Sequence, residues 1–134
     1  MVQALRKNLH VWTILSISRR NLGNQRVDEL AKALENNTVL TSLYLEENRL
    51  ANVHSLCQLI RCNKVLTVLD LGSNLIDNVG AEELALALRV NTTLVELYLN
   101  NNNIGDKGGT ALLNTLLHHN KTLSVLDLGG NPIS

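Results

Sequence analysis

Apolar residues follow two rhythms along this chain. In Leu94-Val95-Glu96-Leu97-Tyr98-Leu99 they alternate, so a strand would point Leu97 and Leu99 to one face and Glu96 and Tyr98 to the other. In the stretch from Val79 to Leu88 the period lengthens. Leu84 and Leu88 stand four apart with Ala81 and Ala85 beside them, which is the covered stripe of a helix. Leu30/Leu34, Leu56/Ile60 and Leu112/Leu116 repeat that spacing. The chain is therefore expected to alternate short strands with helices.

The alternation belongs to one recurring frame, Leu-x-x-Leu-x-Leu-x-x-Asn-x-Ile/Leu. It starts at Leu40, Leu66, Leu94 and Leu123, with a degenerate copy at Trp12 that has Arg20 where Asn should stand. Successive starts are 28, 26, 28 and 29 residues apart. Such a period means one supersecondary unit stacked on its neighbours. One strand and one helix per unit puts parallel strands on a concave side and helices on a convex side of a curved solenoid. After each strand the chain must turn away from the sheet, leaving peptide groups without ladder partners, and an Asn amide can both donate to and accept from them. Asn48, Asn74, Asn102 and Asn131 are thus expected to form a ladder. A second set, Asn37, Asn63, Asn91 and Asn120, falls near the helix ends, where a left-handed turn would accommodate Asn.

The motifs running from Gly80 to Leu88 and from Asn103 to Gly109 resemble the ribonuclease-inhibitor-like class of leucine-rich repeats. That class also occurs in the sensor regions of NOD-like receptors and in several cytosolic and ciliary scaffolds. The resemblance runs from about Ala4 to the end. It implies an α/β leucine-rich repeat solenoid of four to five repeats of 26–29 residues, forming a single domain over residues 1–134 with repeats starting near 12, 40, 66, 94 and 123. Residues 1–11 read as the tail of a preceding helix. Neither end carries a polar cap, which points to a fragment, a short isoform or a piece of a longer array, and to an alternative role as a structural spacer that self-associates through open ends. Through the NOD-like receptors, the resemblance also implies a ligand-sensing or autoinhibitory arm of a signalling ATPase. The repeat starting at Leu40 departs from the pattern: its connector is two residues short and lacks the Gly-Asp-x-Gly turn, so its curvature should differ.

Composition narrows the chemistry. Of 134 residues, 29 are Leu and 18 are Asn, whereas Phe is absent, as thin uniform layers would require. Twelve basic residues balance twelve acidic ones, so neither nucleic acid nor a membrane is an expected partner by bulk attraction. No apolar run approaches the roughly 20 residues of a membrane span, and the first residues lack a signal-peptide core, so a cytoplasmic location is expected. His118 and His119 are adjacent and diverge around a helix, which does not suit a shared metal. Cys57 and Cys62 lie five apart on one helix and face different ways, as structural thiols in a reducing compartment. Three Asn-x-Thr triplets, at Asn36, Asn91 and Asn120, fall at nearly the same repeat position and read as turns rather than glycosylation sites. Gly72-Ser73-Asn74 and Gly129-Gly130-Asn131 lack a phosphate-loop pattern. With no nucleophile and base in a shared motif, the chain is not expected to be an enzyme, and no cofactor or metal is expected.

A candidate binding surface remains. The outward strand positions and the two residues after each strand carry Glu46, Glu47, Asp70, Glu96 and Asp127 against a single base, Arg19. By contrast, Arg6, Lys7, Arg19, Arg20 and Arg26 all precede the first acid, Asp28. The central position alternates as Tyr44, Asp70, Tyr98, Asp127. Glu46-Glu47 and Asn100-Asn101 follow the Tyr strands, and Gly pairs or Gly-Ser follow the Asp strands. This suggests a two-repeat unit, with the two tyrosines about 10 Å apart across Asp70. Tyr flanked by carboxylates favours a basic protein partner on Tyr44, Glu46, Glu47, Asp70, Glu96, Tyr98, Asn100 and Asp127.

Overall fold

The computed structural model describes residues 2, 3 and 12–134. Among the described residues from 12 onward, five strands of three residues each, β1 (Ile14–Ser16), β2 (Ser42–Tyr44), β3 (Val68–Asp70), β4 (Glu96–Tyr98) and β5 (Val125–Asp127), alternate with four helices, α1 (Gly23–Leu34), α2 (His54–Cys62), α3 (Asn78–Leu88) and α4 (Asp106–His118). The strands form one parallel sheet in chain order, β1-β2-β3-β4-β5. Strand starts keep the 28, 26, 28 and 29 residue spacing of the frame, so each repeat adds one rung. The reading of residues 1–11 as a helix tail, together with Arg6 and Lys7, falls largely outside the described residues.

Burial follows both rhythms. Leu43, Leu69 and Leu97 in the strands, and Leu45, Leu71 and Leu99 just after them, are fully covered, and they meet Leu30, Leu56, Leu84 and Leu112 from the helices. Each leucine contributes roughly 1.5–3 kcal/mol by leaving water. Among the described residues, the buried apolar side chains are aliphatic or Cys57, with no aromatic ring. Gly108 lets the last two helices approach closely: a Cβ there would stand 2.8 Å from Ala81 Cβ and 2.9 Å from Asn78 Oδ1.

The short repeat is the irregular one. Helix α2 has nine residues, against eleven to thirteen in the other helices. Asn24 and Asn78 each reach into the following repeat, Asn24 accepting from Ala51 N and Asn52 N, and Asn78 from Gly105 N and Gly108 N. Asn52, the corresponding residue of the short repeat, instead accepts from His54 N at 2.8 Å, closing its own truncated connector.

Candidate protein-binding face

The sheet face is held by two asparagine ladders, one on each side of the strands. In the expected ladder, Asn74 Oδ1 accepts from Asn48 N and Leu50 N in the preceding repeat, while its Nδ2 donates to Leu45 O, Leu71 O and Gly72 O. Asn102 and Asn131 repeat the arrangement: Asn102 accepts from Ile76 N, and Asn131 from Ile104 N. Every rung therefore binds its own turn and the turn before it. Arg20 does not leave its own turn unsupported, since Asn48 Oδ1 accepts from Arg20 N and Leu22 N.

The asparagines near the helix ends form the second ladder, and the expectation of left-handed turns there is corrected. Positive φ among non-glycine residues occurs at Arg19, Asn21, Glu47, Arg49, Ser73 and Asn101, all after strands, whereas Asn63 has φ −72° and ψ 135°. Asn63 is buried instead. Its Nδ2 donates to Leu34 O and Asn37 O of the preceding repeat, and its Oδ1 accepts from Val65 N and Leu66 N, which lead into the next strand. Asn120 makes the same four contacts one repeat pair later, to Leu88 O and Asn91 O and from Thr122 N and Leu123 N. The sequence carried a signal for this role in the fixed three-residue offset from Asn37, Asn63, Asn91 and Asn120 to the next strand frame. Two of the three glycosylation triplets centre on these buried amides: Asn91 and Asn120 are 3% and 4% exposed.

Between the ladders, the register sets Ser16, Tyr44, Asp70, Tyr98 and Asp127 in one row across the sheet, and Ile14, Ser42, Val68, Glu96 and Val125 in another. Tyr44, Asp70, Glu96, Tyr98, Asn100 and Asp127 are all half-buried on the side opposite the leucines. The predicted residues do not form one uniform acidic patch. Arg19 pairs with Glu47 at 3.1 Å and with Glu46 at 4.0 Å, tying both acids to the first repeat. Tyr98 Oη donates to Glu96 Oε2 at 2.7 Å, and this bond raises the phenol above its ordinary pKa, with burial and nearby charge acting in the same direction. Asp70 and Asp127 each accept from the glycine two residues on, Gly72 N and Gly129 N, both at 2.9 Å.

These contacts give the two-repeat alternation a physical cause. In the Asp repeats the carboxylate closes its own turn. The glycines after it leave room for the neighbouring Tyr repeat, because a Cβ on Gly72 would stand 2.8 Å from Asn100 Oδ1 and one on Gly130 would collide with Asn101 Oδ1. Gly130 also has φ +72°, a conformation that favours glycine. Large and small side chains thus interlock from rung to rung.

Among the described residues, no three His, Cys, Asp or Glu side chains converge as a metal site, and no helix is long and apolar enough to cross a membrane. The rings of His118 and His119 stand edge to face, 6.5 Å apart at the end of α4. Cys57 is buried, which pushes its thiol up to about 12, whereas Cys62 is exposed.

A parallel sheet built one rung per repeat, backed by helices and laced by asparagine ladders, defines a leucine-rich repeat solenoid. The profile of the family described as "Leucine Rich repeat" matches residues 62–85, 90–113 and 119–134. The NACHT, LRR and PYD domains-containing protein 3 of Bos taurus is 38% identical over 106 residues, covering 75% of this chain and 10% of that protein. The chain thus spans about a tenth of the length of the curated relatives it matches. Among solved structures, leiomodin-1 actin-binding site 2 superposes with a TM-score of 0.86 at 26% identity, covering 95% of this chain and 76% of that one. The tropomodulin C-terminal domain of Caenorhabditis elegans shares the fold at TM-score 0.85 and 18% identity, covering 95% and 79%. The chain belongs to the leucine-rich repeat family, with repeats of the NOD-like receptor type. It is a protein-interaction repeat module.

Proposed function

We propose that this module binds a basic protein surface on the concave sheet face, with Tyr44 and Tyr98 as apolar anchors and Asp70, Glu96 and Asp127 as charge partners. The observation that carries this reading is the in-register row Tyr44, Asp70, Tyr98, Asp127, held rigid by ladders on both sides and facing away from the core. Preordered aromatic side chains contribute contact area at low entropic cost, and nearby carboxylates steer a cationic partner. Glu46 and Glu47 contribute less, because Arg19 already occupies them. The name of the leiomodin-1 neighbour, an actin-binding site, supports a protein as the ligand of this fold.

The test is affinity purification of the wild-type chain beside a Tyr44→Ala/Tyr98→Ala variant. The reading expects at least one basic partner to be lost from the variant, and the same partner to be weakened by Asp70→Asn with Glu96→Gln and by raised salt. An unchanged partner set in all these arms contradicts it.

The relatives motivate a second reading, in which these repeats belong to the sensing or autoinhibitory arm of a larger NACHT-containing protein. Sequencing full-length transcripts decides this one. A nucleotide-binding module encoded in the same reading frame supports it, and transcripts without one oppose it.

A further inference from the structure

Three outward positions on the convex side break the pattern of their own repeats. Leu86 on α3 is 51% exposed, and the corresponding residues are Lys32, Gln58 and Asn114. Val90, just after α3, is 58% exposed where the other repeats place Asn36, Cys62 and His118. Leu117 on α4 is 66% exposed where they place Glu35, Arg61 and Arg89. The fold does not need an apolar side chain at any of these sites, since neighbouring repeats are built with polar ones. A groove of about 340 Å³ runs between the two helices, lined by Glu82, Ala85, Leu86, Arg89, Ala111 and Asn114.

The groove lining holds one acid, Glu82, and one base, Arg89, but the charge at the C-terminal ends of the helices is one-sided. From α2 to α4, the ends of the helices and the turns after them carry Arg61, Lys64, Arg89, His118, His119 and Lys121 and no acid. Cations are favoured there by the helix dipole, and Lys64 Nζ and Lys121 Nζ donate to the terminal carbonyls Arg61 O and Leu117 O. At the opposite end of the groove, Glu82 pairs with Lys107 at 3.0 Å. The exposed leucines and valine therefore sit beside a basic rim, the reverse of the concave face.

We infer that the convex surface over the C-terminal ends of α3 and α4, beside this groove, is a second protein-docking surface, which takes an amphipathic segment with apolar side chains flanked by Asp or Glu. The apolar side chains cover Leu86, Val90 and Leu117, and the carboxylates meet Arg89 and the neighbouring bases. Charge complementarity selects an acidic segment over a basic one.

A random peptide display library selected on the full chain tests this, counter-selected against Leu86→Gln/Leu117→Glu, which installs the types found in the other repeats. The expected result is enrichment of peptides alternating apolar and acidic residues. Their binding should fall about ten-fold or more in that variant and in Arg89→Glu, and stay unchanged in Tyr44→Ala/Tyr98→Ala. Circular dichroism confirms that each variant is folded, and Leu86→Gln alone serves if the double variant is not. Enrichment of basic peptides, or of none that distinguishes the variant, overturns the inference. So does selective sedimentation with phosphatidylserine vesicles in place of peptide binding, which would make the surface a membrane contact.

Discussion

A ladder asparagine does more than fill its own turn. Asn74 holds five backbone groups drawn from two repeats, so Asn74→Ala leaves several buried N–H and C=O groups unpaired. At roughly 1–3 kcal/mol per orphaned group, the variant is expected to lose about 3 kcal/mol or more in urea unfolding. Arg20→Asn should change stability by less than about 0.5 kcal/mol, because Asn48 already satisfies that turn. Cys57 gives a second test at this scale. Its thiol is raised from 9.0 to about 12 in the folded chain, so the folded state holds its proton where the unfolded state has released it. The resulting stability is fully present below pH 9 and is lost as the pH rises toward 12. Unfolding free energies across that window should fall less steeply for Cys57→Ala than for the wild type. The first ladder was legible in the sequence because it lies within the repeat frame. The second was legible only as a fixed position, since an asparagine before a strand looks the same in a left-handed turn as in a buried bridge.

Helices and strands were readable at the level of the element because a period of two and a period of nearly four separate cleanly in so leucine-rich a chain. What one repeat does to its neighbour was not readable. The small residues at Gly72 and Gly130 make room for Asn100 of the following rung and Asn101 of the preceding rung, and a single strand gives no sign of that. Likewise, the tyrosines and acids could be assigned to one face from alternation alone, but the ties from Arg19 to Glu47 and from Tyr98 to Glu96 depend on rotamers and cross-strand reach. Helix packing gives the prediction at this scale. Gly108→Ala places a methyl group against Ala81, Asn78 and Ile104, and is expected to cost about 2 kcal/mol and lower the melting temperature in calorimetry.

Over the whole molecule, neighbouring repeats carry nearly all the contacts, so stability should fall from the centre toward the ends. Native-state hydrogen exchange is expected to protect the amides of β3 and β4 longest and to release those of β1 and β5 first. The charge of the molecule is also organised at this scale. A net charge of zero hides local differences: five of the twelve acids stand on the concave face, whereas the C-terminal ends of α2, α3 and α4 carry bases and no acid, and each region presents apolar or aromatic side chains that the core does not use. The central claim concerns the concave face, and site-specific photocrosslinking tests it most directly. A photoreactive residue replaces Val68, between the two tyrosine strands, or Lys32 on the outside of α1. The account predicts a protein adduct at position 68 that disappears with Tyr44→Ala/Tyr98→Ala, and no such adduct at position 32. An adduct at position 32 with none at position 68 would contradict it.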